Sequence, residues 1–227
     1  MTLALKAVLF DVDFTLARPG PELGPEGYVR AGARHGLELD ASRYDDARAA
    51  ALVALQRHPE LEHDDEIWFA FSERVILGMG GAAPAARTCA VEITRAWEHH
   101  DNFELYDDTV PVLRTIRAAG LKVGLVSNSA RDVTAFAVHH ALDIDAGLSS
   151  FHHGKSKPHE SIFRAMLGLL GVEPREAVMI GDTLHDDIEG ARAVGMSAVL
   201  IDRENRHPEI PDRLRDLTGL CHVLGLA

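Results

Sequence analysis

The segment Ala7-Val8-Leu9-Phe10 constrains this chain more than any other: an apolar run that stops abruptly at Asp11 and Asp13. With no polar alternation, it predicts a strand buried on both faces, as in a parallel sheet covered by helices. Strand geometry then sends Asp11 and Asp13 to the same face. In open α/β sheets, the C-terminal mouth of such a strand is where ligands bind. Two carboxylates held so close repel. They persist where a cation lies between them, where one keeps a proton, or where both are solvated.

The rest of the chain reads as an interrupted α/β core. Arg18-Pro19-Gly20-Pro21 breaks the pattern and reads as a hinge or turn. From about Glu22 to His100 the periodicity is helical, around Gly27–His35, Ser42–Arg57, Asp64–Leu77 and Pro84–His99. Ser42 and Asp64 are expected N-caps, and Gly78, Gly80 and Gly81 a helix stop. Trp68, Phe69, Phe71 and Trp97 are expected in the core of this insertion. Alternation then resumes, with strands at Lys122–Val126, Ala146–Ser149, Ala177–Ile180 and Ala198–Ile201. Helices are expected between them at Thr109–Ala119, Arg131–Ala141, Glu160–Leu170 and Asp187–Val194. An apolar tail, Leu214–Leu226, is expected to pack on the core. This order predicts a Rossmann-like open parallel sheet (1–17 and 104–227) with a helical insertion (18–103).

Composition narrows the function. A net charge of −12 argues against a nucleic-acid surface and makes a phosphate ligand awkward without a divalent cation. No apolar run approaches membrane-spanning length, and Met1–Lys6 lacks a signal peptide's arrangement. Cys89 and Cys221 match no redox or metal spacing, so a reducing cytoplasm is expected. The adjacent pairs His99-His100, His139-His140 and His152-His153 do not share helix faces and read as solvated polar residues. The only lysines are Lys6, Lys122, Lys155 and Lys157, the other basic residues being arginine.

The segment Asp11-Val12-Asp13-Phe14-Thr15-Leu16 resembles the first motif of the haloacid dehalogenase-like hydrolase superfamily, most of whose members are phosphatases. Val123–Asn128 resembles the second motif, a strand ending in Ser or Thr, and Lys157-Pro158 the third, a Lys-Pro entering a helix. Val178–Ile188, with Gly181-Asp182 and then Asp186-Asp187, resembles the fourth. The resemblance implies a sheet of order 5-4-1-2-3 and makes the insertion a helical cap of the C1 type. It implies Asp11 as nucleophile, Asp13 as general acid and base, and Lys157 as the cation holding nucleophile and phosphoryl group. Lys155 is the lesser candidate for that cation. Asp11, Asp13 (through its carbonyl), Asp182 and Asp187 are implied to hold Mg²⁺, with Asp186 a competitor for the last place. Thr15, Ser127, Asn128 and Phe14 fall on the substrate side, and His185 is expected to rim the site. Phe14 departs from the family's usual glycine.

The expected activity is a Mg²⁺-dependent phosphatase acting on a small phosphorylated metabolite, as a monomer or homodimer. Asp13 argues against a dehalogenase. The absence of lysine from Ala17 to Leu121 argues against a Schiff-base hydrolase of phosphonoacetaldehyde. A phosphosugar mutase of the same fold and a non-catalytic phospho-ligand-binding module remain alternatives. Receiver domains are much shorter and lack the Asp-x-Asp-x-Thr pattern.

Overall fold

In the computed structural model, residues 5–226 are described, so the reading made of Met1–Ala4 lies outside the described residues. The chain divides into two compact units, Met1–Arg18 with Leu105–Ala227, and Pro19–Glu104. Among the described residues, no helix is long and apolar enough to cross a membrane.

The first unit is built on a five-stranded parallel sheet. Its strands are β1 (Ala7–Phe10), β4 (Lys122–Ser127), β5 (Ala146–Ser149), β6 (Ala177–Gly181) and β7 (Ser197–Leu200). They lie in the order β5-β4-β1-β6-β7. Counted along the chain within this sheet and read from the β7 edge, that is 5-4-1-2-3. β1 is central, and all of its residues are inaccessible to solvent. Phe10 pairs with Leu125 on one side and Ile180 on the other. This register brings the residues that follow these positions, Asp11, Ser127 and Asp182, to neighbouring strand tips. Two further strands, β2 (Ala17–Pro19) and β3 (Phe103–Leu105), form a separate two-stranded sheet where the chain passes between units. Position 19 was expected in a turn; Pro19 instead ends a strand, a place where its missing N–H is tolerated.

The second unit carries α1 (Pro25–Arg34), α2 (Tyr44–Val53), α3 (Asp65–Gly78) and α4 (Ala85–Ala96). Its core gathers Tyr28, Ala47, Val75, Ile76, Cys89 and Ile93. Asp64 caps α3 by accepting from the Glu66 N–H, as expected. Ser42 does not cap a helix: Asp40 accepts from the Ser42 N–H and starts a short 3₁₀ turn ahead of α2. Trp68, Phe69 and Trp97 are half-buried, and only Phe71 packs against the core cluster. Alanines at 31, 47, 51, 86 and 90 fill much of this core, with Tyr28 its one fully buried large ring among the described residues.

The first unit contributes α5 (Thr109–Ala118), α6 (Val133–His139), α7 (Ser150–His153), α8 (Glu160–Leu170), α9 (Gly190–Ala193) and α10 (Leu220–Val223). α6 starts two residues later than its periodicity suggests, because Asp132 accepts from the Thr134 and Ala135 N–H groups and fixes the first turn. The helix expected over Asp187–Val194 begins earlier, at Leu184, as a wide π-helical turn that passes into α9.

After β1 the chain turns tightly. The Leu16 and Ala17 N–H groups both donate to the Val12 carbonyl, and the Phe14 N–H donates to the Ala17 carbonyl. This loop holds Phe14 at φ +63°, which explains why glycine suits the position. A side chain in that region costs about 1–2 kcal/mol. Phe14→Gly is therefore expected to melt above Phe14→Ala, by about 1 kcal/mol in denaturant titration, although both lose the same ring.

Candidate active site

β1 delivers Asp11 to the site. Its N–H donates to the Ile180 carbonyl at 2.8 Å, extending the parallel pairing one residue past the strand. Lys157 then meets it from across the sheet. The Lys157 ammonium donates to Asp11 Oδ1 at 2.6 Å, to Asp187 Oδ1 at 2.6 Å and to the Val126 carbonyl at 2.9 Å. These acceptors match the three N–H donors of an ammonium. The lysine side chain is 2% exposed, so its pairing is the compensation for burying its charge. Lys157 makes these contacts and Lys155 does not.

Asn128 holds the lysine in place. Its Oδ1 accepts from the Lys157 N–H at 2.7 Å, and its Nδ2 donates to the Lys157 carbonyl at 2.9 Å and to Asp186 Oδ2 at 3.3 Å. Asn128 was expected on the substrate side; its amide engages the Lys157 backbone and Asp186. Thr15 is likewise fully buried, with its hydroxyl 3.4 Å from Asp11 Oδ2, rather than free for a ligand. Ser127 ends β4 buried, its hydroxyl donating to Ser129 Oγ at 3.1 Å. Phe14 is half-buried in the strained turn.

β6 supplies Asp182, and the π-helical turn supplies Asp187. Asp187 Oδ2 accepts from the Thr183 N–H at 3.0 Å. Gly181 makes this possible, since a Cβ there would run into the Asp187 carboxylate. Asp182 accepts from Thr183 Oγ1 at 3.2 Å and from Arg206 Nη2 at 2.5 Å. Among the described residues, Asp11, Asp182 and Asp187 are the group of acids placed to hold a metal ion, each offering an oxygen within 4.8 Å of the others. A donor set of buried carboxylate oxygens suits a hard cation such as Mg²⁺. Asp186 is not in this group. Asp13 stands apart: Arg131 Nη2 donates to both of its oxygens, at 2.6 and 2.7 Å. His185 is exposed and pairs with Glu189.

The electrostatics follow from burial. Desolvation pushes Asp11 up to about 7, with the Lys157 charge opposing and Asp187 and Asp13 reinforcing. Asp182 rises to about 6 through burial and the Asp11 charge, against Arg206. Asp187 rises to about 6 through burial and the Asp182 charge, against Lys157. Burial alone would lower Lys157, but the two carboxylates beside it outweigh that and raise it, so it stays protonated.

Arg131 and Arg206 were not foreseen as site residues. Arg131 lies 118 positions from the acid it holds, just ahead of α6, and its place at the edge of a helical pattern gives no sign of that pairing. The scarcity of lysine did mark Lys157.

Known proteins place this geometry in context. A family model described as haloacid dehalogenase-like hydrolase matches residues 5–195. The chain is 32% identical to glyceraldehyde 3-phosphate phosphatase of Methanopyrus kandleri, over 93% of this chain and 90% of that protein. It is 33% identical to phosphoserine phosphatase of Thermus thermophilus, over 94% of each. Among solved structures, a HAD phosphatase from Thermococcus onnurineus superposes with a TM-score of 0.68 at 26% identity, covering 97% of this chain and 98% of the other.

The three raised carboxylates set a pH dependence. Their folded values of about 6 to 7 lie above the ordinary 3.8, so between these limits the folded state binds more protons than the unfolded one. Their unfavourable contribution is complete above about pH 7 and shrinks as pH falls towards about 4. In EDTA, the melting temperature is expected to rise as pH is lowered from about 8 to about 5; added Mg²⁺ should raise it at the higher pH and have little effect at the lower. Lys157→Met, which leaves two buried carboxylates without their cation, should cost about 3–5 kcal/mol in EDTA at the higher pH and less at the lower, read by urea titration.

Proposed function

The chain belongs to the haloacid dehalogenase-like hydrolase family, and on that premise we propose that it is a Mg²⁺-dependent phosphatase hydrolysing a small phosphate monoester through an aspartyl-phosphate on Asp11. The observation that carries this reading is the buried Lys157 ammonium, fixed between Asp11 and Asp187 beside Asp182 at the tips of β1 and β6. Relatives of nearly full coverage named for glyceraldehyde 3-phosphate and for phosphoserine support a small, three-carbon class of substrate.

Lys157 engages Asp11 Oδ1, so Oδ2, touched by the Thr15 hydroxyl only at 3.4 Å, keeps a lone pair for attack on phosphorus. As the Oδ2–phosphorus bond forms, the bond to the leaving alcohol breaks, and a protonated Asp13 gives its proton to the departing oxygen. The alcohol leaves. Asp13, now a carboxylate, takes a proton from a water that attacks the same phosphorus, which releases phosphate and restores Asp11. Lys157 offsets charge on the phosphoryl group throughout. Ser127, at the tip of β4 beside β1, would donate its hydroxyl to a phosphoryl oxygen. Asp11, Asp182 and Asp187 would hold the Mg²⁺ ion, which when bound offsets the carboxylate and phosphate charges.

The helical unit Pro19–Glu104 corresponds to the C1 cap that the family resemblance implies, the part that selects the leaving group. Two free cysteines, one buried, agree with a reducing cytoplasm.

Phosphate release should be measured over a panel of three-carbon, sugar and nucleoside monophosphates, with Mg²⁺ and with EDTA. Turnover is expected with Mg²⁺ alone, and Asp11→Asn should lower kcat/KM by about 10³-fold or more while remaining folded. Mg²⁺-independent turnover, or an active Asp11→Asn, would contradict the reading.

A further inference from the structure

We propose that Arg131 is a positioning residue for catalysis: it holds the Asp13 carboxylate apart from the Asp11–Lys157 pair, in the place from which Asp13 exchanges its proton. The inference rests on the phosphatase reading above. Its basis is geometric. Arg131 Nη2 spans both Asp13 oxygens, at 2.6 and 2.7 Å, which opposes rotation of the carboxylate about its own axis. Among the described residues, no other side chain hydrogen-bonds that carboxylate. The guanidinium is itself fixed, lying 5.0 Å from the centre of the buried Phe136 ring. Its loop ends at Asp132, which caps α6.

The Asp13 side chain is 20% exposed, whereas that of Arg131 is 1% exposed. A reactant can touch Asp13 without touching Arg131, so the arginine acts through the aspartate rather than on the substrate. Charge explains why the aspartate needs it. Asp11 and Asp13 are both acids on one short turn, and each would otherwise compete for Lys157. Two cations at two places keep them on separate tasks: Lys157 holds Asp11, and Arg131 holds Asp13.

Misplacing a catalytic group by about 1 Å costs about 10²-fold in rate. That loss falls on substrates whose leaving oxygen needs a proton. The test compares an alkyl phosphate with p-nitrophenyl phosphate, whose leaving group departs without one. It uses kcat/KM, which reports the steps through leaving-group departure, for wild type, Arg131→Met, Asp13→Asn and the double variant. Arg131→Met is expected to lose about 10²-fold on the alkyl substrate and less than about 10-fold on the aryl one. It should add almost nothing in the Asp13→Asn background, and Arg131→Lys should restore part of the loss. If Arg131→Met does not fold, the same cycle is run with Arg131→Lys, whose shorter side chain draws the cation back from Asp13. Equal losses on both substrates, or additivity with Asp13→Asn, would overturn the positioning role while leaving the phosphatase reading intact. A wild type inactive on every phosphate would remove that reading itself.

Discussion

Everything in the site depends on one buried cation. The Lys157 ammonium links Asp11 at the end of β1, Asp187 in the π-helical turn and the Val126 carbonyl in β4. Three segments distant in sequence are thereby pinned to one point. Without that charge, the sheet would bring buried carboxylates together with nothing to oppose their repulsion or their desolvation. The surrounding structure is arranged to keep the lysine there. Asn128 grips its backbone from both sides, and Gly181 gives Asp187 room to approach.

The other acids follow the same rule. Asp13 has Arg131 and Asp182 has Arg206, while Asp11 and Asp187 share Lys157. The pairs differ in burial. Arg131 is sealed in, whereas the Arg206 side chain is 45% exposed and can leave Asp182 at little cost. On the metal reading proposed above, an ion held by Asp11, Asp182 and Asp187 would compete with a solvated arginine rather than with the buried pairs. The acidity of the whole chain, −12, makes these local cations more consequential, since the general field repels a phosphate.

Much of this was legible before any coordinates. The apolar run Ala7–Phe10 marked a central strand because a strand buried on both faces cannot alternate. That the tips carrying Asp11, Ser127 and Asp182 are neighbours follows from the strand order that the family resemblance implies, while the alternation of elements gave only the parallel sheet. Lys157 stood out because this chain otherwise uses arginine. Side-chain commitments were not legible. Nothing local tells that Asn128 grips a backbone 29 residues away, or that Thr15 is sealed behind Asp11. The pairings of Arg131 and Arg206 leave no local signal, because contacts between distant segments are decided by tertiary structure. The π-helical turn at Leu184–Glu189 was misread as an ordinary helix starting later, since one extra residue per turn leaves no mark in a sequence so short.

The central claim is that Asp11 itself carries the phosphoryl group. The most direct measurement is acid quenching during turnover, followed by mass spectrometry of the peptide that contains Asp11. The account predicts one phosphoryl adduct on Asp11, formed with substrate and Mg²⁺ and absent from Asp11→Asn. An adduct on any other residue, or full turnover with no adduct at any quench time, would contradict it.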